Sequence, residues 1–227
     1  MTNKPNAIIK TCALGKSYKL GKEKVEVLKD ISIQVNIGDY IAIMGQSGAG
    51  KSTLLNILAC LDIPTSGEYL FNGLNVASFS GSKLADIRNN DIGFIFQNFN
   101  LLPKLSIAAN VELPLIYGNI PSRKRKTMVE SVLKRFGLWD RRKHRPNEIS
   151  GGQKQRVAIA RALVKKPSII FADEPTGNLD SNTTKEIMEI LNGLSKEGNT
   201  ILIITHEHDV AKNTSKIIEI KDGRIFE

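Results

Sequence analysis

Gly45-Gln46-Ser47-Gly48-Ala49-Gly50-Lys51-Ser52 fits the pattern G-x-x-x-x-G-K-[ST]. It sits between an apolar run, Tyr40 to Met44, and a segment with leucines at helical spacing, Leu54, Leu55, Leu58 and Leu61. The order reads strand, loop, helix. Glycines at these positions let the backbone fold into a concave nest whose N–H groups face phosphate oxygens, with the positive end of the following helix behind them. In this pattern Lys51 pairs with the β- and γ-phosphates and the Ser52 hydroxyl ligates magnesium, with Thr53 next along the helix. Such a loop needs a carboxylate on a second strand to hold the metal, and Ile169-Ile170-Phe171-Ala172-Asp173-Glu174 supplies one after an apolar run. Asp173 is the metal candidate. Glu174, one residue further on where the strand ends, is placed to accept a proton from the attacking water or to orient it.

Outward from these two segments, Ser168 to Ala172 and Thr200 to Thr205 read as short strands buried on both faces, as a parallel sheet requires. The core is therefore expected to be α/β. Lys216 to Ile220 and Arg224 to Phe226 flank Asp222-Gly223, a hairpin signal, and Val25 to Leu28 and Ile31 to Val35 alternate like strands of a small antiparallel sheet. Between about Asn98 and Lys166 the pattern turns helical, with apolar residues at helical spacing over Met128 to Phe136 and Gln153 to Val164. No internal repeat or Pro/Gly/Ser-rich linker divides the chain, so a single domain over 1–227 is expected, with a core of about 1–97 and 167–227 and a helical subdomain of about 98–166.

The 227 residues are 41% hydrophobic and 24% charged, ordinary for a folded domain, and no run approaches the roughly 18 apolar residues that cross a bilayer. The first twenty residues carry Lys4, Lys10, Lys16 and Lys19 without an apolar core, which argues against a secretory signal and for the cytosol. Two cysteines, Cys12 and Cys60, are too few for a disulfide framework or a structural zinc site, and both are expected to be buried. Lys and Arg number 32 against 23 Asp and Glu, a net charge of +9. The clusters Arg123-Lys124-Arg125-Lys126 and Arg141-Arg142-Lys143-His144-Arg145 lack the interleaved aromatics of a strand-stacking surface, so they read as solvated faces and no nucleic-acid partner is expected.

Ile149-Ser150-Gly151-Gly152-Gln153, followed by the helical Lys154 to Leu163 and then by Asp173-Glu174, resembles the signature region of the ATP-binding cassette (ABC) ATPases. The resemblance extends over almost the whole chain. Gln97 takes the place of the Q-loop glutamine, Gly177-Asn178-Leu179-Asp180 that of the D-loop, His206 that of the switch histidine, and Tyr18 that of the aromatic that stacks on adenine. It implies a P-loop NTPase fold with a RecA-like parallel-sheet core, a small antiparallel β subdomain and a helical subdomain. ATP and Mg2+ are the implied ligands, and Gln97 is implied both at the metal and in catalysis with Lys51, Glu174 and His206. The family forms head-to-tail dimers with two ATP molecules sandwiched between them. The resemblance therefore implies a homodimer on ATP binding, in which Ser150, Gly151, Gly152 and Gln153 meet the partner copy's nucleotide and Asp180 faces the interface, whether or not it also caps a helix.

Leu54 to Gly67 and Ile92 to Leu102 are closest to the ATPases of lipoprotein-release and macrolide-efflux systems. That likeness implies an ATP-hydrolysing subunit driving an integral membrane permease subunit from the cytoplasmic face of the inner membrane, with membrane contact made through the partner. A coupling helix would dock beside Gln97 against Phe99, Leu101 and Leu102. The permease is then a separate polypeptide, or the chain is one cassette of a longer protein. The alternative is a mechanotransmitting ATPase that regulates cell-envelope or division machinery without moving cargo. Of the other residues, His208 forms an H-x-H pair with His206 but has no further ligands nearby and reads as solvent-exposed, and Trp139 is expected to pack in the helical part.

Overall fold

Strands that read as near-continuous apolar runs must be covered on both faces, and Tyr40–Met44 and Ile201–Thr205 are buried at all of their positions. The computed structural model describes residues 7–21 and 23–226; Lys4 and Glu227 lie outside them. In chain order the strands are β1 (Ala7–Leu20), β2 (Glu23–Ile31), β3 (Gln34–Asn36), β4 (Tyr40–Met44), β5 (Ser66–Phe71), β6 (Leu74–Asn75), β7 (Ile92–Phe96), β8 (Ile169–Asp173), β9 (Ile201–Thr205), β10 (Lys216–Lys221) and β11 (Arg224–Phe226). The helices are α1 (Lys51–Leu58), α2 (Gly81–Asn90), α3 (Ile107–Tyr117), α4 (Ser122–Arg135), α5 (Gly151–Leu163), α6 (Ser181–Lys196) and α7 (His208–Ala211).

One sheet runs β11-β10-β4-β9-β8-β7, parallel throughout except for β11, which closes the expected hairpin on β10. Alternate residues serve opposite faces. Ile41, Ile43, Ile169, Phe171, Leu202 and Ile204 enter one apolar cluster, shared with α1 and the antiparallel sheet. Ile170, Ala172, Ile201 and Ile203 enter another, shared with α3, α4, α5 and α6. The antiparallel sheet runs β2-β1-β5-β6, with β3 on β1.

Several segments depart from the expectations above. β1 has no clear signal in the sequence: it carries Gly15 and register shifts against β2, β3 and β5, which break the alternation that would announce a strand. Cys12 is exposed rather than buried, because it points away from the side of β1 that places Thr11 and Leu14 inside; Cys60 is buried as expected. Leu61 lies outside α1 and is exposed, because Cys60 turns into the left-handed region at φ 57 just beyond the helix. α2 buries only Leu84 and Ile87, too few for a periodic signal. Trp139 packs on the helical cluster with the Arg142 guanidinium 4.5 Å from its ring centroid, and Arg125 pairs with Glu112 at 2.7 Å, so neither basic cluster is wholly solvated.

The helix that follows the glycine loop is tied down at its far end. Tyr69 is fully buried in β5, and its hydroxyl donates to the Leu58 carbonyl at 2.5 Å, one of the acceptors a helix C-terminus leaves without an intrahelical donor. Tyr69→Phe keeps the ring and strands that carbonyl. Calorimetry should show a loss of about 1–2 kcal/mol, or a melting temperature lower by about 2–8 °C; an unchanged melting temperature would mean the bond contributes nothing net.

Candidate active site

In a parallel sheet the loops that follow the strands emerge at one edge, and neighbouring strands bring theirs side by side. Here Met44 lies opposite Thr205, Ile204 opposite Asp173, and Asp173 opposite Phe96. The register therefore sets Gly45, His206, Glu174 and Gln97, each just past a strand end, in one row. Around them lies a cavity of about 790 Å³ lined by Gln46, Ser47, Gly48, Gly50, Lys51, Ser52, Thr53, Gln97, Asp173, Glu174 and His206, with Val27 and Ile204 as apolar wall.

Gly48 and Gly50 hold φ of 81° and 103°, a region that favours glycine. No side chain caps the start of α1, so its first N–H groups face the cavity, as a polyphosphate requires. Lys51 Nζ donates to the carbonyls of Gly45 at 2.7 Å and Gln46 at 2.9 Å, which folds the ammonium over the loop. Ala49 turns its side chain into the core and Gly45 lies outside the lining, so these two take part through backbone alone. The C-terminal hairpin buttresses the loop from behind: Gly223 N–H donates to the Ala49 carbonyl at 3.1 Å, and a Cβ on Gly45 would run into the Ile220 carbonyl.

Glu174 sits at φ 45, a left-handed conformation costing on the order of 1 kcal/mol for a residue with a side chain. Its carboxylate is held at both oxygens, by Thr205 Oγ1 at 3.2 Å and His206 Nδ1 at 2.7 Å. That contact, with the Glu174 charge, raises the His206 pKa. Burial raises the Asp173 pKa and the neighbouring Glu174 charge adds to this, while Lys51 opposes both. A half-buried carboxylate repelled by its neighbour favours an incoming cation. Among the described residues no group of three His, Cys, Asp or Glu forms a metal cage; in the cavity lining the Ser52 hydroxyl and the Asp173 carboxylate are oxygen donors that would fit a magnesium ion whose other ligands are phosphate oxygens and water.

The remaining candidates lie outside this cavity. Tyr18 stands on β1, its hydroxyl donating to Asp62 Oδ2 at 2.9 Å, and Lys16 Nζ binds Asp62 Oδ1 at 2.7 Å while lying 5.0 Å from the Tyr18 ring centroid. Nothing in the sequence linked positions 16 and 62. Ser150 and Gln153 form a reciprocal capping box at the start of α5, which leaves the N–H groups of Gly151 and Gly152 without a side-chain cap. Asp180 caps α6 by accepting from the N–H groups of Asn182 and Thr183. His208 is exposed, as expected. A groove of about 600 Å³ opens beside the helical part, but Phe94, Phe96, Leu113, Pro114 and the 75% exposed Tyr117 help form its walls. Phe99, Leu101 and Leu102 do not line it, and Leu101 packs into the helical core.

The ABC transporter family matches residues 28–177. YknY of Bacillus subtilis (strain 168), an uncharacterized ABC transporter ATP-binding protein, is 51% identical over 92% of this chain and 91% of its own length. The macrolide export ATP-binding/permease protein MacB of Bdellovibrio bacteriovorus is 50% identical over 92% of this chain, which spans 32% of that protein. The dimeric post-hydrolysis structure of the ATP-binding cassette MJ0796, bound to ADP and Pi, matches with a TM-score of 0.87 and 42% identity, covering 96% of this chain and 97% of that one.

The Glu174 contact makes a titration prediction for the nucleotide-free protein. His206 should titrate above the usual histidine value of about 6.5 and return toward it in Glu174→Gln, read from its imidazole C–H resonances by NMR. Since the folded-state pKa is raised, the stabilisation from this pair is fully present below the unfolded value and lost as pH rises through the folded one. A His206 midpoint indifferent to Glu174→Gln would remove the pair.

Proposed function

This chain belongs to the ABC transporter family as an ATP-binding subunit that hydrolyses ATP, and from that premise we propose that two copies pair head to tail around ATP to drive a membrane permease subunit. The observation that carries the reading is the separation of two anion-binding ends within one chain: the uncapped start of α1 opens into the cavity, whereas Ser150 to Gln153 take no part in its lining. One γ-phosphate cannot bridge both ends of a single copy. It can do so between copies, where the signature of one closes over the phosphate loop of the other and the positive end of α5 meets the phosphate. The dimeric state of MJ0796 supports this.

Within each composite site the loop N–H groups and Lys51 hold the phosphates, and Tyr18 offers its ring to adenine. Glu174, fixed at both oxygens, takes the proton of the attacking water; His206 and Gln97 orient water and γ-phosphate from either side of it. Ser52 and Asp173, with Gln97 beside them, would hold magnesium, which when bound neutralises charge on the β- and γ-phosphates. Asp180 lies at the copy-to-copy interface. Loss of the γ-phosphate removes charge-assisted hydrogen bonds worth about 1.5–3 kcal/mol each, so the closed pair opens. The driven process in this reading is macrolide or peptide efflux or lipoprotein release, and the likeness to the macrolide export protein MacB supports the first of these. No helix of the described residues is long and apolar enough to cross a membrane; attachment to the cytoplasmic face through the permease is part of the same proposal.

Two variants test the pairing. Glu174→Gln should bind ATP normally, lose nearly all turnover and elute as a dimer in size-exclusion chromatography with saturating ATP; a monomer there would contradict the sandwich. Ser150→Arg should retain ATP affinity while hydrolysis collapses, because the side chain fills the other copy's γ-phosphate site. Wild-type hydrolysis by Ser150→Arg would exclude the signature from the site.

A further inference from the structure

The four residues Gln97 to Asn100, just after β7, have one end in the nucleotide cavity and the other in the groove: Gln97 lines the first, and Asn100 lines the second. The segment is not relaxed. Phe99 and Asn100 adopt φ of 59° and 46°, two successive left-handed residues with side chains. A backbone in that state persists only where its surroundings over-determine it.

Those surroundings are identifiable. On the groove side Arg161, from the last turn of α5, donates through Nη1 to the Asn100 carbonyl at 2.6 Å and through Nη2 to the Phe99 carbonyl at 2.9 Å. At the Gln97 end Asn178, between β8 and α6, donates through Nδ2 to the Gln97 carbonyl at 3.2 Å and to Asn98 Oδ1 at 2.8 Å. Gly177 supplies the floor, since a Cβ there would lie 2.7 Å from Gln97 Nε2. Arg161 belongs to the helix that Ser150 starts, and Asn178 lies two residues before Asp180.

We propose that Arg161 and Asn178 are positioning residues for ATP hydrolysis: they clamp the strained Gln97–Asn100 segment from both sides and so set where the Gln97 side chain stands in the cavity. The planar fork of Arg161 is suited to this because it spans two adjacent carbonyls, which a lysine ammonium on a flexible stem holds less rigidly. Arg161 also lines the groove. The proposal rests on the role given to Gln97 above.

The test is steady-state ATPase kinetics on the full chain with MgATP, comparing Asn178→Ala, Arg161→Gln and Arg161→Lys, each alone and combined with Gln97→Ala. Misplacing one group at a reacting centre is expected to lower kcat about tenfold in Asn178→Ala and Arg161→Gln while KM stays within about twofold, with Arg161→Lys intermediate. On the Gln97→Ala background these losses should vanish, since the clamp then has nothing to place. Losses that multiply onto Gln97→Ala, or single variants with wild-type kcat, would overturn the proposal. Wild-type turnover of Gln97→Ala itself would instead overturn the role of Gln97. If Arg161→Gln loses its cooperative melting transition, Asn178→Ala and Arg161→Lys carry the same comparison.

Discussion

The register of β4, β9, β8 and β7 is the constraint on which the rest depends. Each of these strands feeds apolar side chains to at least one face of the sheet, and β8 and β9 feed both covered faces, so a one-residue slip would exchange the side chains of the two faces and misfit both close-packed cores at once. Register is thus paid for by the core, and the row of Gly45, His206, Glu174 and Gln97 at the strand ends follows from it. Chemistry at that edge needs no separate device to bring four distant segments together.

Electrostatics then shape what the edge accepts. The cavity joins two kinds of demand: a helix start with no side-chain cap, which favours anionic charge, and two adjacent carboxylates, one with its proton affinity raised by burial and repulsion, which favour a cation. A metal-bound polyphosphate answers both at once. Glu174 is held differently from Asp173 although the two are neighbours in sequence. Its left-handed backbone turns the carboxylate back toward Thr205 and His206, whereas Asp173 ends the strand within reach of the Lys51 charge. Two different settings for two adjacent acids follow from one backbone torsion.

The surroundings of the loop show how remote segments stabilise a strained site. The turn of the β10–β11 hairpin presses on the phosphate loop through Gly223 and Ile220, and Tyr69 anchors the far end of α1. The left-handed Phe99–Asn100 pair is held at both carbonyls by Arg161 of α5, and Gln97 and Asn98 just before it are held by Asn178. Glycine is required where backbone meets backbone closely: Gly93 in β7, where a Cβ would lie 2.9 Å from the Ala162 carbonyl of α5, lets the signature helix pack on the sheet.

Local chemistry made much of this legible from the sequence alone. The glycine loop, the acidic strand end, the doubly buried strands and the Asp222-Gly223 hairpin are each written in a few adjacent residues, because the physics that produces them acts over one or two turns of chain. The exposed side of Cys12, the weakly periodic α2, the bulged β1 and the hold of Lys16 and Asp62 on Tyr18 were not legible in that way. Each depends on which distant segment lies opposite, and a hydrogen bond between positions 16 and 62, or between 161 and 99, leaves no mark on the spacing of either partner. The types of group at the site were set by sequence; their arrangement in one row, and the clamps that keep it, were decided by the pairing of strands that only tertiary packing fixes.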